Sequence, residues 1–267
     1  MSDIQPYKQA FALLDPDSDL RALMDENMGE GATFGMRDVP RWTFPGSGNK
    51  QWVWNGPNGK EFRDGIEGVV LGQRTKRTFY ATKYDGGGSP PDCSSDDGAM
   101  GRPRLFDDGT PDNLKIAANG SEVEFGGACK TCPLDQWETG RLFDPSYHGN
   151  GKACGEYRDL LVMEPDGVVP IIIQLPSTAL RDWSDFGMTL VRARMGLSRA
   201  VLHFTIDLPK GATYGTLAVG IVGSLTKEDA ASLKTFMPDL RRPALAAPTD
   251  VPLSPENEAL VAASEPY

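Results

Sequence analysis

All four cysteines of this 267-residue chain fall between Cys93 and Cys154, in the pattern C-x35-C-x2-C-x21-C. The central pair lies in GGACKTCPLDQW, Gly126 to Trp137. A C-x2-C pair on a tight turn puts two thiolates within reach of one ion. Two cysteines from other loops then complete a tetrahedral all-sulfur site. The flanks suit such turns: Gly126 and Gly127 precede the pair, Pro133 follows it, Gly151 and Lys152 precede Cys154, and a Gly-Gly-Gly-Ser-Pro-Pro run lies just before Cys93. The spacing predicts Cys93, Cys129, Cys132 and Cys154 as ligands of a structural ion. Zinc is favoured over an iron–sulfur cluster, although thiolates alone do not separate the two. Four thiolates leave no open coordination position, so the ion staples a loop-rich segment and does not react. The competing readings are a thioredoxin-like redox pair, a disulfide and unrelated buried thiols. Nothing marks the chain as secreted, which weighs against a disulfide, and unrelated thiols would scatter beyond this window. His148, in a Gly-rich loop, is a minor alternative to one of the four cysteines.

Thirty glycines and 21 prolines imply many turns and point to β structure over a helical bundle. No apolar run approaches the ~20 residues needed to cross a bilayer, and the first residues lack a basic-then-apolar leader. The expected address is the cytoplasm. The formal net charge of −10 argues against a general polyanion binder. Binding depends on local surface, however, so the distribution of charge outweighs the total.

Residues 1–30 read as two short helices. Trp52 and Trp54 alternate in a strand that puts both indoles on one face. GIEGVVLGQRTKRTFYATKY reads as two strands or one long bent strand, with Gly68 and Gly72 marking bulges. Residues 85–157 are rich in Gly, Asp and Pro and form the metal-stapled insertion. Leu160–Met163 and Val168–Leu175 are strands joined by a Pro-Asp-Gly turn. Ser177 or Thr178 caps a helix through ALRDWSDFGMTLVRARMG, with Trp183, Phe186, Leu190 and Leu197 near helical spacing. AVLHFTIDL and YGTLAVGIVGSL are the last strands, and Thr226 caps a final helix. The expected fold is mainly β (α+β): a small oligonucleotide-binding (OB-like) barrel with flanking helices and the four-cysteine insertion, with another α+β sheet as second choice. One domain spans residues 1–242, and an acidic Pro-rich tail, 243–267, reads as disordered.

No enzyme motif stands out: there is no G-x4-G-K-[ST] loop and no G-x-S-x-G elbow. SSDDG and FDDGTPD read as solvated acidic loops more readily than as cation sites, and His203 as a structural residue. One segment departs from the acidic background. From Gly68 to Tyr84 there are four bases (Arg74, Lys76, Arg77 and Lys83) and no acid, interleaved with Phe79, Tyr80 and Tyr84. Cations that track phosphates, beside rings that stack on bases, are what holding single-stranded nucleic acid requires. Trp52, Trp54, Arg102, Arg104 and Lys115 extend the expected groove. The competing reading is a solvated basic strand with core aromatics. The tail, ending Ser264-Glu265-Pro266-Tyr267, is suited to docking partner proteins or competing for a basic groove, or it serves solubility alone.

The ordered blocks GVVLGQRTKRTFYATKY, PPDCSSDDGAMG, CKTCPLDQW, GKACGEYRDLLVM and IIIQLPSTALRDWSDF resemble a family of phage and prophage single-stranded-DNA-binding-like proteins with a four-cysteine element. The resemblance covers about residues 66–236. It implies an OB-like barrel, the four cysteines as metal ligands, and a setting in DNA replication or recombination in a bacterial host cell, with proteins of those processes as possible partners of the tail. Members commonly carry Gly after the Trp of the C-x2-C-P-x3-W block, where this chain has Glu138. The first expectation is a non-catalytic single-stranded-DNA binder with structural zinc. A protein-interaction adaptor docking through the zinc-stapled loop is second, and a nucleic-acid-processing enzyme third.

Overall fold

The computed structural model describes residues 4–7, 11, 39–45, 49–82, 90–106, 108–145, 149–167, 169–212 and 214–233. The helices expected before residue 31 and the tail lie outside the described residues, apart from residues 4–7 and 11. One strand organises the rest. β4, Gly65–Phe79, runs unbroken for 15 residues. On one edge it pairs antiparallel with β10, Gly155–Met163. On the other edge, its first residues pair with β12, Ala200–Asp207, and its last with β5, Cys93–Ser95. The sheet therefore divides along β4. β12 leads to β13, Thr216–Ser224, at one end. At the other end, β5 leads to β6, Met100–Pro103, and β9, Gly127–Ala128.

On the far side of β10 come β11 (Ile171–Leu175), β1 (Arg41–Thr43), β2 (Trp52–Gly56) and β3 (Gly59–Arg63). The β10–β11 hairpin and the strands β12 and β13 are those expected from the sequence. β1 runs parallel to β11, so the sheet is mixed. A separate hairpin joins β7, Leu114–Ile116, to β8, Glu122–Glu124. The mainly β class holds, but the expected barrel does not close: among the described residues β3 and β9 each pair on one edge only and end an open sheet. The strands that a barrel would use for closure are instead spread along the length of β4.

Both faces of the sheet are buried where apolar residues run without a break. In β10, Leu160 and Val162 enter one core while Leu161 and Met163 enter the other. Strands buried on both faces lose the apolar–polar alternation, as here. The bulge on β4 falls at Leu71, between Val70 and Gly72, which oppose consecutive residues of β10. Gly68 has a different task. A Cβ there would lie 2.3 Å from the Met163 carbonyl oxygen, so only glycine permits that approach.

On the first core packs α1, Leu180–Arg192, through Trp183 and Leu190. The indole of Trp183 donates to Gln73 Oε1 at 3.0 Å. Neither Ser177 nor Thr178 caps this helix. A 3-10 turn at Ser177–Ala179 runs straight into it, and its N-cap, Ala179, has no side-chain acceptor. Thr226 does cap the last helical segment, taking the Asp229 N–H at 3.0 Å.

Candidate metal centre and nucleic-acid face

The end of β4 builds the cysteine region. Phe79 turns inward and meets Phe125 and Phe143 edge-on, at 5.1 and 5.0 Å between centroids. Around it Ala117, Val123 and Leu134 form a small core of their own, joined by Cys93, with Cys132 and Cys154 packed against it. The C-x2-C pair lies on two successive 3-10 turns, Cys129–Thr131 and Pro133–Asp135. Gly126 and Gly127 lead in with φ of +108° and +65°, conformations that disfavour any other L residue. Gly101 leaves room for the Cys93 sulfur, which a Cβ would meet at 3.1 Å.

All four cysteines are free thiols and line one cavity of about 20 Å³. That is room for a single water-sized particle. Among the described residues, no three or more His, Cys, Asp or Glu side chains are drawn up around one point as ligands. The chemistry of the donor set nevertheless fits a thiophilic ion. Burial, reinforced by the neighbouring thiols, pushes Cys93 and Cys154 up to about 12. Burial also raises Cys129, against the opposing pull of Ser95 and Arg77. These sulfurs thus stay protonated unless a cation lies between them. His148 lies outside the described residues.

Arg77 braces this site. Its guanidinium meets Asp135 at 2.5 Å and Glu156 at 3.1 Å, and Lys152 meets the other oxygen of Asp135 at 2.9 Å. The SSDDG loop closes on itself. Burial pushes Asp97 up, but the N–H groups of Met100 and Ala99 and the Ser95 hydroxyl outweigh it and hold the carboxyl below its usual range. In FDDGTPD, Asp112 is taken by Arg104 and Lys115. Asp97 and Asp112 thus have structural partners.

The expected nucleic-acid groove is largely overturned. Trp52 and Phe79 are fully buried, because Trp52 donates its indole N–H to the Phe204 carbonyl and Phe79 nucleates the cysteine-region core. Trp54 shares a face with Trp52, as expected, but that face is the core, where its ring lies 6.0 Å from Trp42. Arg74 is buried against Asp159, which also receives Arg41 and Gln174. Arg77 is committed to Asp135 and Glu156. Arg104 and Lys115 share Asp92 and Asp112. Lys83 and Tyr84 lie outside the described residues.

What remains shares one face. Strand register sets Lys76 opposite Tyr157, and Thr78 opposite Ser94, which in turn faces Arg102. Opposed residues project to the same side. Lys76 is only loosely paired, 3.9 Å from Asp96, and Arg102 is exposed with no ion pair among the described residues. Tyr157 is half-buried and Tyr80 follows the strand end. Tyr157 and Ser94 are absent from the sequence-based expectation. The alternation of GEYRDLLVM carries Tyr157, since it shares a face with Asp159 and Leu161.

Among the described residues no helix is long and apolar enough to cross a membrane. No protein-family model matches the chain, and neither the curated proteins nor the solved structures yield a match.

Proposed function

We propose that this protein binds single-stranded DNA, without catalysing a reaction on it, along the sheet face of Lys76, Tyr157, Thr78, Ser94 and Arg102. The observation that carries the reading is the register that brings two lightly engaged cations and a half-exposed ring to one side of β4. Phosphates need the first and bases the second. An open sheet supplies such a face as well as a barrel does. Cys93, Cys129, Cys132 and Cys154 would hold Zn²⁺, which would stiffen the strands that carry Ser94 and Arg102. The resemblance to phage single-strand binders supports a setting in DNA replication or recombination.

The test is fluorescence anisotropy of a labelled oligothymidylate at two salt concentrations. Binding should weaken steeply with salt, and K76E or R102E should flatten the slope by about one contact each. Absence of binding at low salt overturns the reading.

One observation favours a second reading, an adaptor. Leu105, Phe106, Leu114 and Ile116 of the cysteine region are all exposed, with Ile116 at 61%. Exposed apolar side chains in one segment mark protein contacts more often than nucleic-acid contacts. A protein that ignores the oligonucleotide but loses a partner on Ile116→Lys would fit this reading.

A further inference from the structure

Beyond the sheet face lies a second cavity, of about 200 Å³, at the end of β4. Its walls are Tyr80 and Ala81 on one side and Gly140, Phe143, Asp144, Lys152 and Ala153 on the other. It is smaller than the ~300–1,000 Å³ pockets that enclose drug-sized ligands, which suits one planar ring system. Two of its walls are aromatic. Phe143 is held edge-on against Phe79, so that wall is fixed. Lys152 brings a cation to the rim.

The same ammonium lies 5.5 Å from the centroid of Trp137, which is 72% exposed. Packing gives no reason for an indole to stand in solvent there. Its loop is nevertheless pinned: Glu138 N–H donates to the Asn150 carbonyl and Gly140 N–H to that of Gly151. A rigid exposed ring beside a ring-walled pocket, with a lysine between them, is a stacking platform in waiting.

We propose that this pocket takes a single unstacked base of the bound strand, with Trp137 stacking on a neighbouring base; Lys152, whose ammonium is paired with Asp135, lies between the two rings. The inference rests on the strand-binding reading above and gives that strand a destination. Tyr80 comes two residues after Thr78, so a strand leaving Lys76 runs about 13 Å along β4 and turns over its end to reach the pocket, where Phe143 packs on Phe79 from the other face. Asp144 on the wall repels a phosphate, so the neutral base enters and the charge stays at the rim.

The experiment compares oligothymidylate with a base-free (tetrahydrofuran-spacer) strand of equal length, using wild type, Tyr80→Leu and Lys76→Glu. Tyr80→Leu should weaken oligothymidylate about tenfold, within the range for one stacked base, and leave the base-free strand unchanged. Lys76→Glu should weaken both. If Tyr80→Leu matches wild type while Lys76→Glu fails, the pocket proposal falls and the strand reading stands. If wild type binds neither strand, both fall. Photocrosslinking of wild type with an iododeoxyuridine strand guards against a folding defect in the variant. Adducts should map to Tyr80 or Trp137, and adducts found only elsewhere overturn the pocket.

Discussion

Arg77 on β4 and Asp135 beside the C-x2-C turn are joined by an ion pair of 2.5 Å, with both side chains largely shielded from water. The pair ties the cysteine loop to the central strand. Its strength falls between that of surface and buried pairs. Arg77→Met should therefore lower stability by about 2 kcal/mol, read by denaturant unfolding. Affinity for oligothymidylate should barely change in the folded fraction, because this arginine faces the cavity of thiols. A selective loss of binding with unchanged stability would return Arg77 to the nucleic-acid face.

The four thiols should hold one zinc per chain by elemental analysis. Cys132→Ser should lose it, and proteolysis should then cut first within residues 90–154. Two or more iron atoms per chain would replace the zinc with a cluster, and a fully loaded Cys132→Ser protein would remove that cysteine from the ligand set.

Asp159 supplies the acid limit of stability. Burial alone would raise its pKa, yet Arg41, Arg74 and Gln174 hold the carboxyl below the ordinary value. The unfolded chain therefore takes the proton first. The stabilisation is complete above the ordinary Asp range of ~4 and is lost as pH falls through the lower folded value. Asp159→Asn should cost about 3 kcal/mol at neutral pH by leaving two arginines without their carboxylate, and should flatten the acid side of a thermal-melt profile. An unchanged acid profile would assign that limit to another group.

Glu138 occupies φ of +71°, a region in which an L side chain is strained. Glu138→Gly should therefore raise the unfolding free energy by about 0.5–1 kcal/mol, net of glycine's extra chain entropy. The lost contact with Arg141, an exposed pair at 3.5 Å, subtracts little. A fall in melting temperature would show that the glutamate earns its place.

Local pattern carried much of this fold. The Pro-Asp-Gly turn, the apolar runs around it and the Thr226 cap are written within a few residues of where they act. The cysteine window pointed to a shared metal site, and the four thiols do line one cavity. The basic segment misled because its partners are remote. Arg74 finds Asp159 85 residues away, and no local rule announces that contact. Trp52 and Phe79 look the same in sequence whether they stack on bases or fill a core. Trp137 escaped notice for the reverse reason: it sits in irregular chain, where no period separates inside from outside.

β4 belongs to three cores at once, with Val70 and Val69 in those on the two faces of the sheet and Phe79 among the cysteines. The molecule thus has no joint between its sheet and its cysteine region. Whatever the thiols grasp is felt along a continuous peptide ribbon, so the two regions should melt as one body, and a truncation that separates them must cut through the spine of both.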